Sequence, residues 1–123
     1  MLQVGDTYQT EFTISQEQVN QYAVLSGDNN PLHIDAAYAA TTNFKSPIVH
    51  GIFTSGIISR VLGTEFPGEG TFYLGQQLDF KRAIYPDKKY IAKFIFNFLS
   101  KCFRVIRFGN LTAKSDRDTA FYG

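Results

Sequence analysis

The chain has 123 residues, of which 44% are hydrophobic and 15% aromatic, so it is long enough to bury one core and too short for two domains. Its formal net charge is +1 and its 12 basic residues are spread along the chain, whereas nucleic-acid binders usually concentrate them on one face. The single cysteine, Cys102, excludes an intrachain disulfide, and we expect it to be an inert thiol.

The sequence shows no feature of a secreted or membrane protein. No basic stretch followed by an apolar run stands at the N-terminus, so we predict no secretory signal. The most apolar segment, residues 48–62, is too short and too interrupted by polar residues to cross a bilayer. We therefore expect a single domain over residues 1–123, in the cytoplasm or an organelle lumen, that binds neither a membrane nor nucleic acid.

The first half of the chain predicts one strand followed by helices. A strand is expected at about residues 6–13, and residues 15–26 have helical spacing with a capping box from Ser15 to Gln18. Gly27 is expected to end this helix. Residues 27–33 are predicted to form a loop, and Asp35 is expected to cap a helical turn over residues 36–40.

Residues 51–62 are apolar around most of a helical circumference, which predicts a buried helix. After a turn-rich stretch at 63–70, strands are predicted at 71–84, 90–99 and 102–113, with turns at 85–88 and 100–101. Alternation places Phe94, Phe96 and Phe98 on one face. This order predicts an α+β protein in which a buried helix is wrapped by a curved antiparallel meander.

The residues that could carry chemistry lie around the predicted loop, in the segment Tyr22-Ala23-Val24-Leu25-Ser26-Gly27-Asp28-Asn29-Asn30-Pro31-Leu32-His33, with Ala39 six residues on. This segment matches the hydratase 2 motif, so the chain resembles the MaoC-like (R)-specific enoyl-CoA hydratases. The similarity continues through Ile48-Val49-His50-Gly51, Pro67-Gly68-Glu69-Gly70 and Tyr73-Leu74-Gly75-Gln76-Gln77-Leu78-Asp79-Phe80-Lys81. These stretches cover roughly two-thirds of the chain, which makes the signal strong.

The resemblance implies a hot-dog fold and a catalytic pair, Asp28 and His33, acting jointly on one water. Chemistry supports that pair independently, because adding water across an enoyl thioester needs a base for the water and a proton for the α-carbon. A carboxylate and an imidazole five residues apart on a Pro-stiffened loop suit this task. In an arbitrary protein the same residues would more often form a plain turn with Asx hydrogen bonds.

The resemblance also implies an oxyanion donor, the backbone N–H of Gly51 at the start of the buried helix, where free N–H groups and a positive dipole end are available. Asn30 is expected to orient the loop or the water. Ser59 aligns with a serine that shapes the acyl pocket, with ordinary helix packing as the alternative. Lys81 and Arg82 are candidates for contacts with CoA phosphates or for a solvated strand end.

We expect no metal site and no separate cofactor, since coenzyme A arrives with the substrate. His33 and Asp35 form only a weak pair of ligands, and the other histidine, His50, is expected to have a structural role or to support the site.

The predicted activity is reversible, (R)-specific hydration of trans-2-enoyl-CoA in fatty-acid metabolism, by a homodimer whose exposed sheet edge is paired. The alternatives are a 3-hydroxyacyl-carrier-protein dehydratase and a non-catalytic acyl-thioester-binding domain; the motif is not the usual one of a hot-dog thioesterase. The chain departs from the family in its C-terminal part, where Pro86-Asp87-Lys88 replaces a Gly-Asp turn and residues 114–118 are polar. We therefore expect the last strand to be short or poorly formed.

Overall fold

The computed structural model describes residues 3–72, 76–96, 103–108 and 112–114, the last two ranges by their backbone only. Strand β1 spans Thr7–Thr13, and helix α1 spans Gln16–Ser26. The capping box is present: the Ser15 hydroxyl accepts from the Gln18 N–H at 3.1 Å, and the Gln18 side chain accepts from the Ser15 N–H at 2.9 Å. Gly27 ends α1 with φ 77°, in the left-handed region that glycine adopts without strain. The predicted strand, helix and caps are confirmed.

The loop predicted over residues 27–33 was wrong in its second half, where helix α2 spans Pro31–Ile34. The Asn30 side chain accepts from the Leu32 N–H at 3.1 Å, and Pro31 occupies the first helical position. Both are helix-starting features, but a helix of four residues has no periodic pattern to reveal it. Helix α3, Ala36–Thr41, follows with Asp35 as its cap, as predicted.

Helix α4 spans Gly51–Thr64 and supplies much of the core. Its buried residues are Thr54, Ile58, Val61 and Leu62. The opposite face is exposed and includes Ile52, which is 57% exposed, with Gly56 and Ser59. The expectation of a helix buried on all sides therefore holds for one face only within this chain.

The larger sheet has the order β1-β3-β4, with all pairs antiparallel. Strand β3 spans Lys89–Phe96, and β4 spans Phe103–Phe108. Phe94 and Phe96 are both buried, which confirms the predicted alternation for these two rings; Phe98 lies outside the described residues. Because the α4 residues Ile58, Val61 and Leu62 share one core cluster with these two rings, the helix packs on this sheet.

The second sheet pairs β2, Gln77–Asp79, with β5, Thr112–Lys114. Three expectations were therefore wrong. Within the described residues, which leave out 73–75, the strand predicted over 71–84 is only three residues long. From residue 80 the backbone leaves the ladder, and the Ile84 carbonyl accepts from the Val49 N–H at 2.8 Å. The strand predicted over 102–113 is divided between two partners, and the strands do not follow a simple meander. Cys102 lies outside the described residues.

The described part of the chain contains no helix with the length and apolar character needed to span a membrane.

Candidate active site

His33 lies on α2 and is held at both its backbone and its ring. The Gln16 side chain donates to the His33 carbonyl at 2.8 Å, and His33 Nδ1 lies 2.7 Å from the Ile48 carbonyl oxygen. A carbonyl can only accept, so Nδ1 carries a proton, and in the neutral ring Nε2 is the atom with the lone pair. With only 9% of the residue exposed, His33 offers a fixed proton acceptor.

Asp28 follows the left-handed Gly27 at the end of α1. Its N–H donates to the Ser26 hydroxyl at 3.2 Å, and its carboxylate accepts from the Asn30 N–H at 3.3 Å. A carboxylate oxygen of Asp28 and a ring nitrogen of His33 lie within 4.8 Å of each other. One water hydrogen-bonded to two such atoms spans up to about 5.6 Å, so a single water fits between them.

His50 is buried directly behind this pair and is only 2% exposed. Its Nε2 lies 3.0 Å from the Asp28 carbonyl oxygen, and its ring stacks on His33 with centroids 3.8 Å apart. The Tyr22 ring packs edge-on against it at 4.8 Å. Since Nε2 donates, Nδ1 is unprotonated, and this buried atom has no hydrogen-bond partner among the described residues. Burial lowers the pKa of His50, so its ring is neutral at physiological pH.

Gly51 is the first residue of α4, so its N–H has no partner within the helix. A Cβ placed on Gly51 would lie 2.8 Å from the Phe80 ring. The Phe80 ring can therefore close over the start of α4 only because residue 51 is glycine.

These groups surround one cavity of about 410 Å³. Asp28, His33, His50 and Gly51 line it at one side, and Lys81 and Arg82 contribute exposed positive charge. The remaining wall is mostly apolar and includes Phe44, Ile48, Val49, Ile52, Phe80 and Ile84. Such a cavity suits an apolar chain that carries a polar or anionic head.

The structure brings five of the seven predicted site residues to this cavity. In the described part of the chain, Asn30 and Ser59 do not line it. Asn30 caps α2 and so orients the short helix that carries His33, while Ser59 lies on the exposed face of α4. Both assignments to substrate binding stay predictions.

Asp28, His33 and His50 also form a cluster of possible metal ligands. The imidazole planes of the two histidines are only 29° apart and stacked, and lone pairs lie in the ring planes. One ion at bonding distance cannot lie in both planes, so the cluster is a poor metal cradle. The expectation of no metal site stays a prediction.

Sequence patterns could not show that Phe80 lies over the start of α4, because the contact joins residues 29 positions apart. The position of His50 directly before Gly51 did indicate that this histidine lies at the site, because the residue before a helix lies near the free N–H groups of its first turn.

Residues 2–95 match the sequence profile of the family described as MaoC like domain. The (R)-specific enoyl-CoA hydratase of Aeromonas caviae is 44% identical over 84 residues, which are 68% of this chain and 63% of that protein. The 3-hydroxybutyryl-CoA dehydratase of Methylorubrum extorquens is 42% identical over 83 residues, or 68% of this chain and 53% of that protein. The chain thus spans between about half and two-thirds of the length of these relatives.

The fold agrees with this relationship. The solved structure of the (R)-hydratase from A. caviae involved in PHA biosynthesis has a TM-score of 0.81 and 34% identity, covering 92% of each chain. The predicted α+β hot-dog architecture is thereby confirmed. From its profile match, its relatives and its fold, the chain belongs to the MaoC-like domain family.

Proposed function

We propose that the protein is a hydro-lyase that reversibly hydrates trans-2-enoyl-CoA to (R)-3-hydroxyacyl-CoA. The observation that carries this proposal is the arrangement of three groups around one cavity. The Asp28 carboxylate and a His33 nitrogen lie within 4.8 Å, and the Gly51 N–H begins the helix that borders the same space.

The reaction follows from these positions. Asp28 and His33 hold one water and take its proton while the water oxygen bonds to the β-carbon of the enoyl thioester. The electron pair of the double bond moves toward the thioester oxygen, where the Gly51 N–H and the positive end of α4 stabilise the negative charge. A proton returned from the pair to the α-carbon completes the 3-hydroxyacyl product.

Lys81 and Arg82 fit this proposal as contacts for the phosphates of coenzyme A, because both are exposed and line the cavity. The carrier is proposed to be CoA because the relatives at 44% and 42% identity are named for CoA substrates. The (R) configuration of the product rests on the name of the first of these relatives.

The test is loss of enoyl-thioester absorbance on mixing the protein with crotonyl-CoA, followed by chiral analysis of the product. Wild type should form (R)-3-hydroxybutyryl-CoA, and Asp28→Asn should form it at least about 100-fold more slowly. Hydration of crotonyl-carrier protein but not of crotonyl-CoA would instead identify a carrier-protein dehydratase. Binding of the thioester without turnover would identify a non-catalytic domain.

We further propose that the protein forms a homodimer. In the described sheet β1 is an outer strand, and the exposed face of α4 carries the largely uncovered side chain of Ile52. Unpaired edges and exposed apolar faces are commonly covered by a second copy. Light scattering should give twice the mass of the chain, and a monomer at micromolar concentration would contradict the proposal.

A further inference from the structure

Residues 48–51, which lead into the first turn of α4, hold the candidate catalytic groups in place. The Ile48 carbonyl accepts from His33 Nδ1–H at 2.7 Å, and the Ile48 N–H donates to the Leu32 carbonyl at 3.4 Å. The His50 ring donates to the Asp28 carbonyl at 3.0 Å, and Gly51 supplies the helix N–H. Residues 48–51 therefore fix the positions of the acid–base pair and of the oxyanion donor relative to one another.

Within this segment, His50 is the side chain that contacts both members of the pair. It donates to the backbone of Asp28 and stacks on the ring of His33 at 3.8 Å. The hydrogen bond goes to the backbone carbonyl of Asp28 and leaves its carboxylate free of His50, and both Asp28 and His33 line the cavity. The contacts instead set the distance between the two residues.

The two ring nitrogens of His50 differ, because Nε2 makes a hydrogen bond and Nδ1 makes none among the described residues. Nδ1 is buried and without a partner among the described residues, and an unsatisfied buried polar atom is destabilising. A phenylalanine ring would fill the same space without this cost. Histidine is therefore suited to this position because of the hydrogen bond that its other nitrogen donates.

We propose that His50 is a positioning residue, which holds Asp28 at the right distance from His33 and from the Gly51 N–H through its Nε2–H hydrogen bond. This inference rests on the proposed hydration reaction. His50 transfers no proton in it, because Nε2–H is bound to a carbonyl and Nδ1 is buried without a hydrogen-bond partner among the described residues.

Two substitutions separate the hydrogen bond from the packing. His50→Phe keeps a stacked ring and loses the donor, whereas His50→Gln places an amide N–H near the position of Nε2 and loses the ring. The Phe variant should lose about 100-fold in kcat for crotonyl-CoA with KM changed less than about threefold, as expected for misplacement of a reacting group by about 1 Å. The Gln variant should recover at least about tenfold of that loss.

Val61→Ala is the matched control. Val61 is fully buried on α4, the helix that His50 precedes, and it does not line the cavity. It should lower the free energy of unfolding while keeping the kcat of wild type. A loss of kcat in this variant equal to that of His50→Phe would attribute the loss to stability and overturn the inference. Circular dichroism establishes that each variant is folded.

Nitrogen NMR of the imidazoles gives a readout that needs no turnover, and the chain has only 2 histidines to assign. His50 should be protonated at Nε2 and not at Nδ1; the opposite tautomer would overturn the inference. So would a folded Phe variant with wild-type kcat, or equal losses in the Phe and Gln variants. If wild type hydrates no enoyl thioester, the proposed function fails and this inference fails with it, whereas the preceding outcomes leave the proposed function intact.

Discussion

Backbone carbonyls accept a hydrogen bond from the ring N–H of each histidine at the candidate site, which leaves the other ring nitrogen of His33 as a proton acceptor. His33 uses Nδ1–H on the Ile48 carbonyl, and His50 uses Nε2–H on the Asp28 carbonyl. A neutral His33 imidazole held in this way presents Nε2 as a base, whereas the second nitrogen of His50 is buried. Because a ring nitrogen of His33 lies within 4.8 Å of a carboxylate oxygen of Asp28, the two residues can share a single water.

If Asp28 and His33 share one water, the losses of kcat caused by substituting them should not multiply. Asp28→Asn and His33→Gln should each lower kcat by about 100- to 10,000-fold, since each removes a general acid–base group. The double variant should be little worse than the worse single variant, because both changes disable the same step. The measurements are kcat for all three variants and binding of the CoA ester by calorimetry, which should persist.

Two outcomes would contradict this interpretation. A single variant with nearly wild-type kcat would remove that residue from catalysis. Losses that multiply in the double variant would show that the two residues act in separate steps.

At Gly51, the role of the N–H can be separated from the need for a small residue. Gly51→Ala keeps the N–H but brings a Cβ to 2.8 Å from the Phe80 ring, which must move. Gly51→Pro adds the same Cβ and removes the N–H; proline is tolerated at the first helical position, and His50 has φ −56° and ψ 129°, which suits a residue before proline.

If the N–H stabilises the enolate, the Pro variant should lose about 3 kcal/mol more transition-state stabilisation than the Ala variant. The comparison uses kcat/KM for crotonyl-CoA, with circular dichroism as the folding control. Equal activity in the two variants would exclude an oxyanion role for this N–H.

Among the helices of the described residues, α2 is the shortest, and it carries a candidate catalytic residue. It has four residues, and its start is fixed by the Asn30 side chain on the Leu32 N–H. Short helices depend on their caps and on tertiary contacts, since isolated ones do not form in water. The position of His33 therefore depends on Asn30.

Asn30→Ala should lower the free energy of unfolding by about 1 kcal/mol and reduce kcat, while Asn30→Ser, which keeps a capping oxygen, should change both much less. Urea unfolding and crotonyl-CoA kinetics measure the two effects. If the Ser variant were stable but as impaired in kcat as the Ala variant, Asn30 would act on the water or substrate rather than as a cap.

For the whole molecule, burial of His50 couples stability to pH. Burial lowers the pKa of His50 below its value in the unfolded chain, about 6.5, so below that pH the unfolded state binds more protons. The free energy of unfolding should therefore rise as the pH rises toward about 6.5 and fall as the pH is lowered below that value. Urea unfolding at about pH 7.5 and about pH 5.5 measures this effect. The free energy of unfolding should decrease less between these two pH values for His50→Phe than for wild type. An equal loss in both proteins would show that other groups cause the acid sensitivity.

The sequence by itself determined the features that depend on near neighbours. The capping box at Ser15, the left-handed Gly27 and the cap at Asp35 each involve residues within a few positions of one another, and all are present. The closeness of Asp28 and His33 follows from the same cause, because both lie on one short segment, while their catalytic role stays a prediction.

Tertiary structure decided what depends on contacts distant in sequence. The residues after Phe80 do not continue a strand because Ile84 bonds to Val49, and the strand pattern alone could not show that partner. His50 meets Asp28 across 22 positions, and Phe80 meets Gly51 across 29. Local propensity carries no information about such pairs, because they form only when the core brings α4 and the sheet together.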